Sequence, residues 1–275
     1  GKLRIQADYF RERREGIFLQ AASIPRISGL STSPWINAGK MKNHGVDASL
    51  EYHQTIGKVQ LTVRGNFTYA HNTILDNDQP RWAEPYLNKI GQSNWQEYGL
   101  VAAGLFSSQE EIDAWPTQAW GEVHPGDIKY LDLNGDGKVD TYDCKPIGYP
   151  NVPEITYGFG ASVKWKGFDF SVFFQGTANT SLVMSGFHPF GINNNVKRNV
   201  MQFVADDYWS ESNPNIYAAY PRLSVVEYGN NTVASTYWLR DASFLKLKNA
   251  EIGYTYKKMR FYISGSNLLT FSKFK

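Results

Sequence analysis

A single cysteine, Cys144, in 275 residues excludes an intrachain disulfide framework. It has no base or helix start beside it and is read as inert. No run approaches the roughly 18 apolar residues of a membrane-crossing helix. Charge of one sign is also missing: 28 Lys and Arg face 26 Asp and Glu, a net +2, so no basic face for nucleic acid is expected. The five histidines, His44, His53, His71, His124 and His188, lack metal-ligand spacing. Gly158-Phe159-Gly160 sits inside a strand pattern with no helix after it, so it makes room in a wall and does not cradle a phosphate. With no catalytic constellation, the chain is not expected to be an enzyme. The start, Gly1-Lys2-Leu3-Arg4, lacks the layout of a signal peptide; either the chain is cytoplasmic or its natural start lies upstream.

What is abundant is aromatic: 8 Trp, 17 Tyr and 16 Phe, 15% of the chain. Many of these rings fall in segments that alternate with period 2, the signature of a strand with two unlike faces. Ile155, Tyr157, Phe159, Ala161, Val163 and Trp165 share one face, and after a turn at Lys166-Gly167 the face continues through Phe168, Phe170, Val172 and Phe174. A second hairpin runs Val46 to Tyr52, turns near Ile56-Gly57 and returns from Val59 to Tyr69. A third runs Ala250 to Tyr256, turns at Lys257-Lys258 and returns from Met259 to Gly265. An unpaired strand, Leu3 to Tyr9, opens the chain, making about seven strands.

The three tight turns fall at one end. The other connections, about 12–44, 72–153 and 177–243, are far longer than the roughly 15 structureless residues a compact domain tolerates. Outer-membrane barrels have this asymmetry, with short periplasmic turns, long extracellular loops, and rings at the membrane interfaces. The expected fold is therefore all-β: an antiparallel transmembrane β-barrel, with polar faces toward a lumen. A soluble β-sandwich also alternates, and a soluble calcium-stapled carbohydrate-binding β domain is the alternative. Barrels of this type have an even number of strands, so seven cannot close one; residues 1–275 are expected to be a piece of a larger barrel domain.

One loop carries a metal-like pattern. In Asp132-Leu133-Asn134-Gly135-Asp136-Gly137-Lys138-Val139-Asp140-Thr141-Tyr142-Asp143, oxygen donors occupy positions 1, 3, 5, 9 and 12, and glycine stands at 6. The Lys138 carbonyl is available at 7, so a structural calcium ion fits the spacing, although Asp143 is shorter than the usual Glu. The other reading is an ion-free Asp/Asn/Gly turn. Ser107 or Ser108 before Glu110, Glu111 and Ile112 predicts a short capped helix, and 193–208 a second. The loop aromatics Trp82, Trp95, Trp115, Trp120 and Trp209 are candidate substrate contacts, or the cores that such long loops need.

Several stretches, taken in order, resemble one family. They are Asn43-His44-Gly45-Val46-Asp47, Gly104-Leu105-Phe106, Pro125-Gly126-Asp127-Ile128-Lys129-Tyr130 and Gly167-Phe168-Asp169-Phe170-Ser171. Tyr220-Pro221-Arg222-Leu223, Ser243-Phe244-Leu245-Lys246-Leu247-Lys248-Asn249 and Asn267-Leu268-Leu269-Thr270-Phe271 follow. Together the chain resembles the SusC/RagA family of TonB-dependent outer-membrane transporters, typical of Bacteroidetes-type bacteria. The resemblance implies part of a barrel of about 22 strands in the cell outer membrane. It further implies a SusD-like surface lipoprotein as partner, TonB acting through an N-terminal region absent here, and uptake of oligosaccharides or peptides.

Overall fold

The computed structural model describes residues 2–184, 199–224 and 229–274. Seven strands form one antiparallel sheet in chain order. They are β1 (Leu3–Gln20), β2 (Trp35–Ile56), β3 (Val59–Asp76), β4 (Ile155–Trp165), β5 (Phe168–Ala178), β6 (Phe244–Tyr256) and β7 (Met259–Ser272). All three expected hairpins form, with registers Ile56↔Val59, Trp165↔Phe168 and Tyr256↔Met259 at their turns. Lys166 and Gly167 both adopt positive φ, +46° and +86°, which matches the twist of a two-residue hairpin.

Register aligns the apolar residues of neighbouring strands into rows. Nearest the turns runs Ile56, Val59, Trp165, Phe168, Tyr254 and Phe261. The middle rows are mostly aliphatic or small, such as Tyr52, Val63, Ala161, Val172, Ala250 and Gly265. Farthest from the turns comes Tyr9, Val46, Tyr69 and Ile155. Ten residue steps of about 3.3 Å, on strands tilted by about 40°, make this band about 25 Å tall, the thickness a lipid-facing belt needs. Its large side chains remain exposed, Ile263 at 78% and Phe261 at 61%. Among the described residues no second layer covers this face, as a soluble sandwich would require.

The opposite face is polar. One row reads Arg4, Glu51, Arg64, Gly160, Phe173 and Asn249. Phe173 lies over Gly158 and Gly160, where an added Cβ would come within 2.7 and 2.8 Å of its ring. The Arg64 guanidinium stands 5.0 Å from the same ring centroid. These glycines leave room in the wall, as expected. Near the turns Arg260 contacts both Asp169 and Glu251 at 2.5 Å.

The connections differ from expectation in length. β1 and β2 continue well past the band, so the first connection is 21–34 and not 12–44; β3 likewise runs on to Asp76, whereas β5 ends at Ala178, level with the last row. Above the bilayer both sheet faces meet water, so pairs such as Arg11↔His44 and Arg13↔Lys42 need no alternation and gave no strand signal. Of the helix expected over 193–208, Gln202–Asp206 forms, while 193–198 lies outside the described residues.

The two faces predict unequal tolerance to charge. In the parent barrel, Phe174→Arg at mid-band should cost about 2–4 kcal/mol and sharply reduce the folded fraction, whereas Phe168→Arg at the belt should cost about 1 kcal/mol or less. Ser171→Arg on the polar face should assemble normally. The heat-modifiable band on an unboiled gel reports all three, and equal tolerance at 174 and 171 would contradict the assignment of faces.

Candidate functional site in the loop domain

The described parts of the long connections, within 77–154 and 179–243, fold together at the end of the sheet opposite the turns. The chain's one hydrophobic cluster among the described residues lies here, built on Leu100, Leu105, Ile128, Tyr130, Val139, Met184, Trp209, Tyr220 and Trp238. The seven strands contribute nothing to it. Water surrounds these loops, so they bury apolar surface against each other, as the strands do not.

Two loop stretches quoted above meet at a buried carboxylate. Asp127 is fully buried and its oxygens take the Arg222 guanidinium (Nε at 2.6 Å, a second nitrogen at 3.2 Å), the Asn231 Nδ2 donor at 2.7 Å and the His124 N–H at 2.8 Å. Asn231 Oδ1 accepts from Ile128 N–H, and Asn230 Nδ2 donates to the Ile128 carbonyl, so this asparagine pair grips the backbone of the other loop. Gln118 completes the set by donating to Asn230 Oδ1 and accepting from Tyr130 N–H. Gly126 makes this possible: its φ is +88° and a Cβ there would sit 2.2 Å from the Trp209 ring. A buried charge must be paired and hydrogen-bonded, and this one is. Sequence reasoning quoted Pro125-Gly126-Asp127 and Tyr220-Pro221-Arg222 separately; only their sharing of Asp127, 95 residues from Arg222, explains both.

The expected capped helix is α1 (Gln109–Asp113), with Ser108 Oγ accepting from Glu111 N–H. Glu111 accepts from Ser107 N–H and Oγ, both at 2.8 Å, and pairs with Lys129. Burial opposes ionisation of Glu111, but the bonds from Lys129 and Ser107 outweigh it and hold its carboxyl at about 2.

The acidic turn follows the path its glycines dictate, with Gly135 and Gly137 at φ +76° and +85°. Asp132 accepts from Gly135 N–H at 2.7 Å and Gly137 N–H at 2.9 Å. Asn134 and Asp136 accept from the amides two residues on, and Asp140 caps a turn over Thr141–Asp143. Asp143 is fully buried, accepting from Leu133 N–H and Asp140 N–H. The oxygen donors thus lie along one tight loop, each held by an amide; among the described residues no three acidic, histidine or cysteine side chains form a group that could hold an ion. Beside the turn, burial pushes the Cys144 thiol up and the Asp143 and Asp140 charges add to it, consistent with an inert thiol.

The five candidate tryptophans divide. Trp209 is buried over Gly126; Trp115 donates to the Tyr130 carbonyl at 2.8 Å; Trp120 packs edge-on to Tyr130. These three pack in the loop core, the second of the two roles their sequence left open. Trp82 and Trp95 remain exposed, at 39% and 51%. Of the histidines, His71 Nδ1 lies 2.5 Å from Glu154 and His53 bridges Glu51 and Thr62, while His188 is outside the described residues.

The Glu111 environment carries a pH signature. Its folded pKa lies below the unfolded value of about 4.3, so its stabilisation is present above that pH and is lost as pH falls toward about 2. Glu111→Gln should remove about 1–3 kcal/mol at neutral pH and flatten this part of the acid titration. Tryptophan fluorescence during acid titration of the parent protein measures it; identical curves for both proteins would refute the role given to Glu111.

A model of the family described as TonB dependent receptor-like, beta-barrel, matches residues 1–268. TonB-dependent receptor P3 of Formosa agariphila is 25% identical over 99% of this chain, which covers 28% of that relative. TonB-dependent receptor SusC of Bacteroides thetaiotaomicron is 23% identical over 97% of the chain, covering 26% of that protein. Among solved structures, the RagAB peptide transporter has the same fold over 99% of this chain and 30% of its own, with a TM-score of 0.66 and 21% identity. The chain thus spans less than a third of the relatives it matches, and those relatives are receptors and not enzymes. It belongs to the TonB-dependent receptor-like β-barrel family, and its place is the outer membrane.

Proposed function

We propose that this chain is the barrel wall and outer mouth of a TonB-dependent importer of oligosaccharides or peptides. One observation carries the reading: a sheet with a lipid-facing and a polar face leads directly into a folded loop domain at its open end. The polar face lines the passage, with Arg64, Phe173 and the Arg260 cluster on its wall. TonB acts through a segment of the parent upstream of Gly1, and a SusD-like lipoprotein covers the mouth. The name of one relative, a TonB-dependent receptor, supports TonB, and that of a solved neighbour, a peptide transporter, supports peptide cargo, while the lipoprotein and oligosaccharide cargo rest on the resemblance of the sequence. Uptake of labelled oligosaccharides and of labelled short peptides by cells carrying the parent protein tests the reading. One class should accumulate, and removal of TonB should abolish it; accumulation that persists without TonB would overturn the proposal. Trp95→Ala should weaken cargo binding about tenfold, roughly 1.4 kcal/mol, if that exposed ring stacks on cargo.

Asp132, Asn134, Asp136, the Lys138 carbonyl, Asp140 and Asp143 are further proposed to hold a structural calcium ion. The spacing and the two left-handed glycines support this, and the carboxylates would turn from their amides toward the ion. Its work would be to staple the loop. Chelator should speed proteolysis between Asp127 and Asp143, and Asp132→Ala with Asp136→Ala should make cleavage fast with or without chelator. Wild-type cleavage indifferent to chelator would count against the ion.

A further inference from the structure

The aromatic row beside the turns ends in a cluster of unbalanced charge. The three turns are Gly57-Lys58, Lys166-Gly167 and Lys257-Lys258: four lysines and no acidic residue. None of the four forms an ion pair among the described residues. Lys166 Nζ lies 5.1 Å from the Trp165 ring centroid and Lys257 Nζ 5.4 Å from that of Tyr256. Both rings belong to the outward face, so these two ammonium groups lean over the lipid side of the wall. On the inward face the nearest acids, Asp169 and Glu251, are already held by Arg260. Beyond the opposite end of the band acidic residues are interspersed among the cations, and Arg13 pairs with Glu15 and Lys40 with Asp76.

Rings of this kind sit at headgroup depth, and an ammonium held over them meets the phosphate layer. Lysines at a membrane surface attract anionic lipid. With short turns on the periplasmic side, the leaflet they meet is the inner one of the outer membrane. We propose that the turn end of this barrel is a binding surface for anionic phospholipid headgroups. Lys58, Lys166, Lys257 and Lys258 supply the charge, and Trp165 and Tyr256 hold two of the ammonium groups at phosphate level. The proposal rests on the orientation of the barrel and not on its cargo.

The test uses the full-length parent protein in phosphatidylcholine bilayers containing trace spin-labelled phosphatidylglycerol or spin-labelled phosphatidylcholine. Wild type should bind the labelled phosphatidylglycerol about threefold more strongly. Lys→Gln at all four positions should bring the two lipids to parity, Lys→Arg should retain the preference, and salt at about 0.5 M should suppress it in wild type. No preference in wild type, a preference surviving Lys→Gln, or its loss in Arg13→Gln with Lys40→Gln would overturn the proposal. If the Lys→Gln protein does not assemble, the salt series and the Lys→Arg protein decide, and a preference insensitive to salt refutes it.

Discussion

Hydrocarbon offers no hydrogen-bond partner to a peptide group, so every N–H and C=O within the bilayer must be paired by a neighbouring strand. The rest of the wall depends on that constraint. It selects sequential antiparallel pairing, and it makes register decide which side chains meet lipid. The row from Ile56 through Trp165 to Phe261 exists because five strand pairings agree to the residue. A slip of one residue in β4 and β5 would put Lys164 and Asp169 where Trp165 and Phe168 now stand. The outer edges of β1 and β7 fall under the same constraint, so closure of the barrel needs further strands.

The loop domain obeys a different solvent. Its backbone can bond to water, so irregular chain is affordable, and stability comes from burial around Tyr130, Trp209 and Trp238. Fixing two connections that are far apart in sequence then requires directional contacts. Asp127 supplies them: one carboxylate ties Arg222, Asn231 and the His124 amide together. Removing one partner of such a group leaves a buried charge uncompensated, whereas most surface pairs here contribute little.

This division explains what could be read from the sequence. The three hairpins were legible because a lipid-facing strand forces alternation, and Lys166-Gly167 announces its own turn. The outer halves of β1 and β2 were not, because Arg11 to Arg14 pair above the membrane where neither face is dry. The acidic turn was visible through spacing alone. The Asp127 junction was invisible, since neither Pro125-Gly126-Asp127 nor Tyr220-Pro221-Arg222 names its partner. For the loop tryptophans no local signal separates a ring that packs on Gly126 from one left in water. Only the tertiary contact distinguishes Trp209 from Trp95.

The polar face shows how the two regimes join. Gly158 and Gly160 weaken a strand by themselves, yet they let Phe173 lie flat against the wall with Arg64 over its ring. An apolar ring is thus kept on the wet side without projecting into the passage, and its cation is already engaged. Alternation of charge along Arg4, Glu51 and Arg64, and the pairing of Arg260 with both Asp169 and Glu251, likewise engage the charges of this face with one another. This part of the wall is thereby hydrated, with charges of opposite sign set side by side.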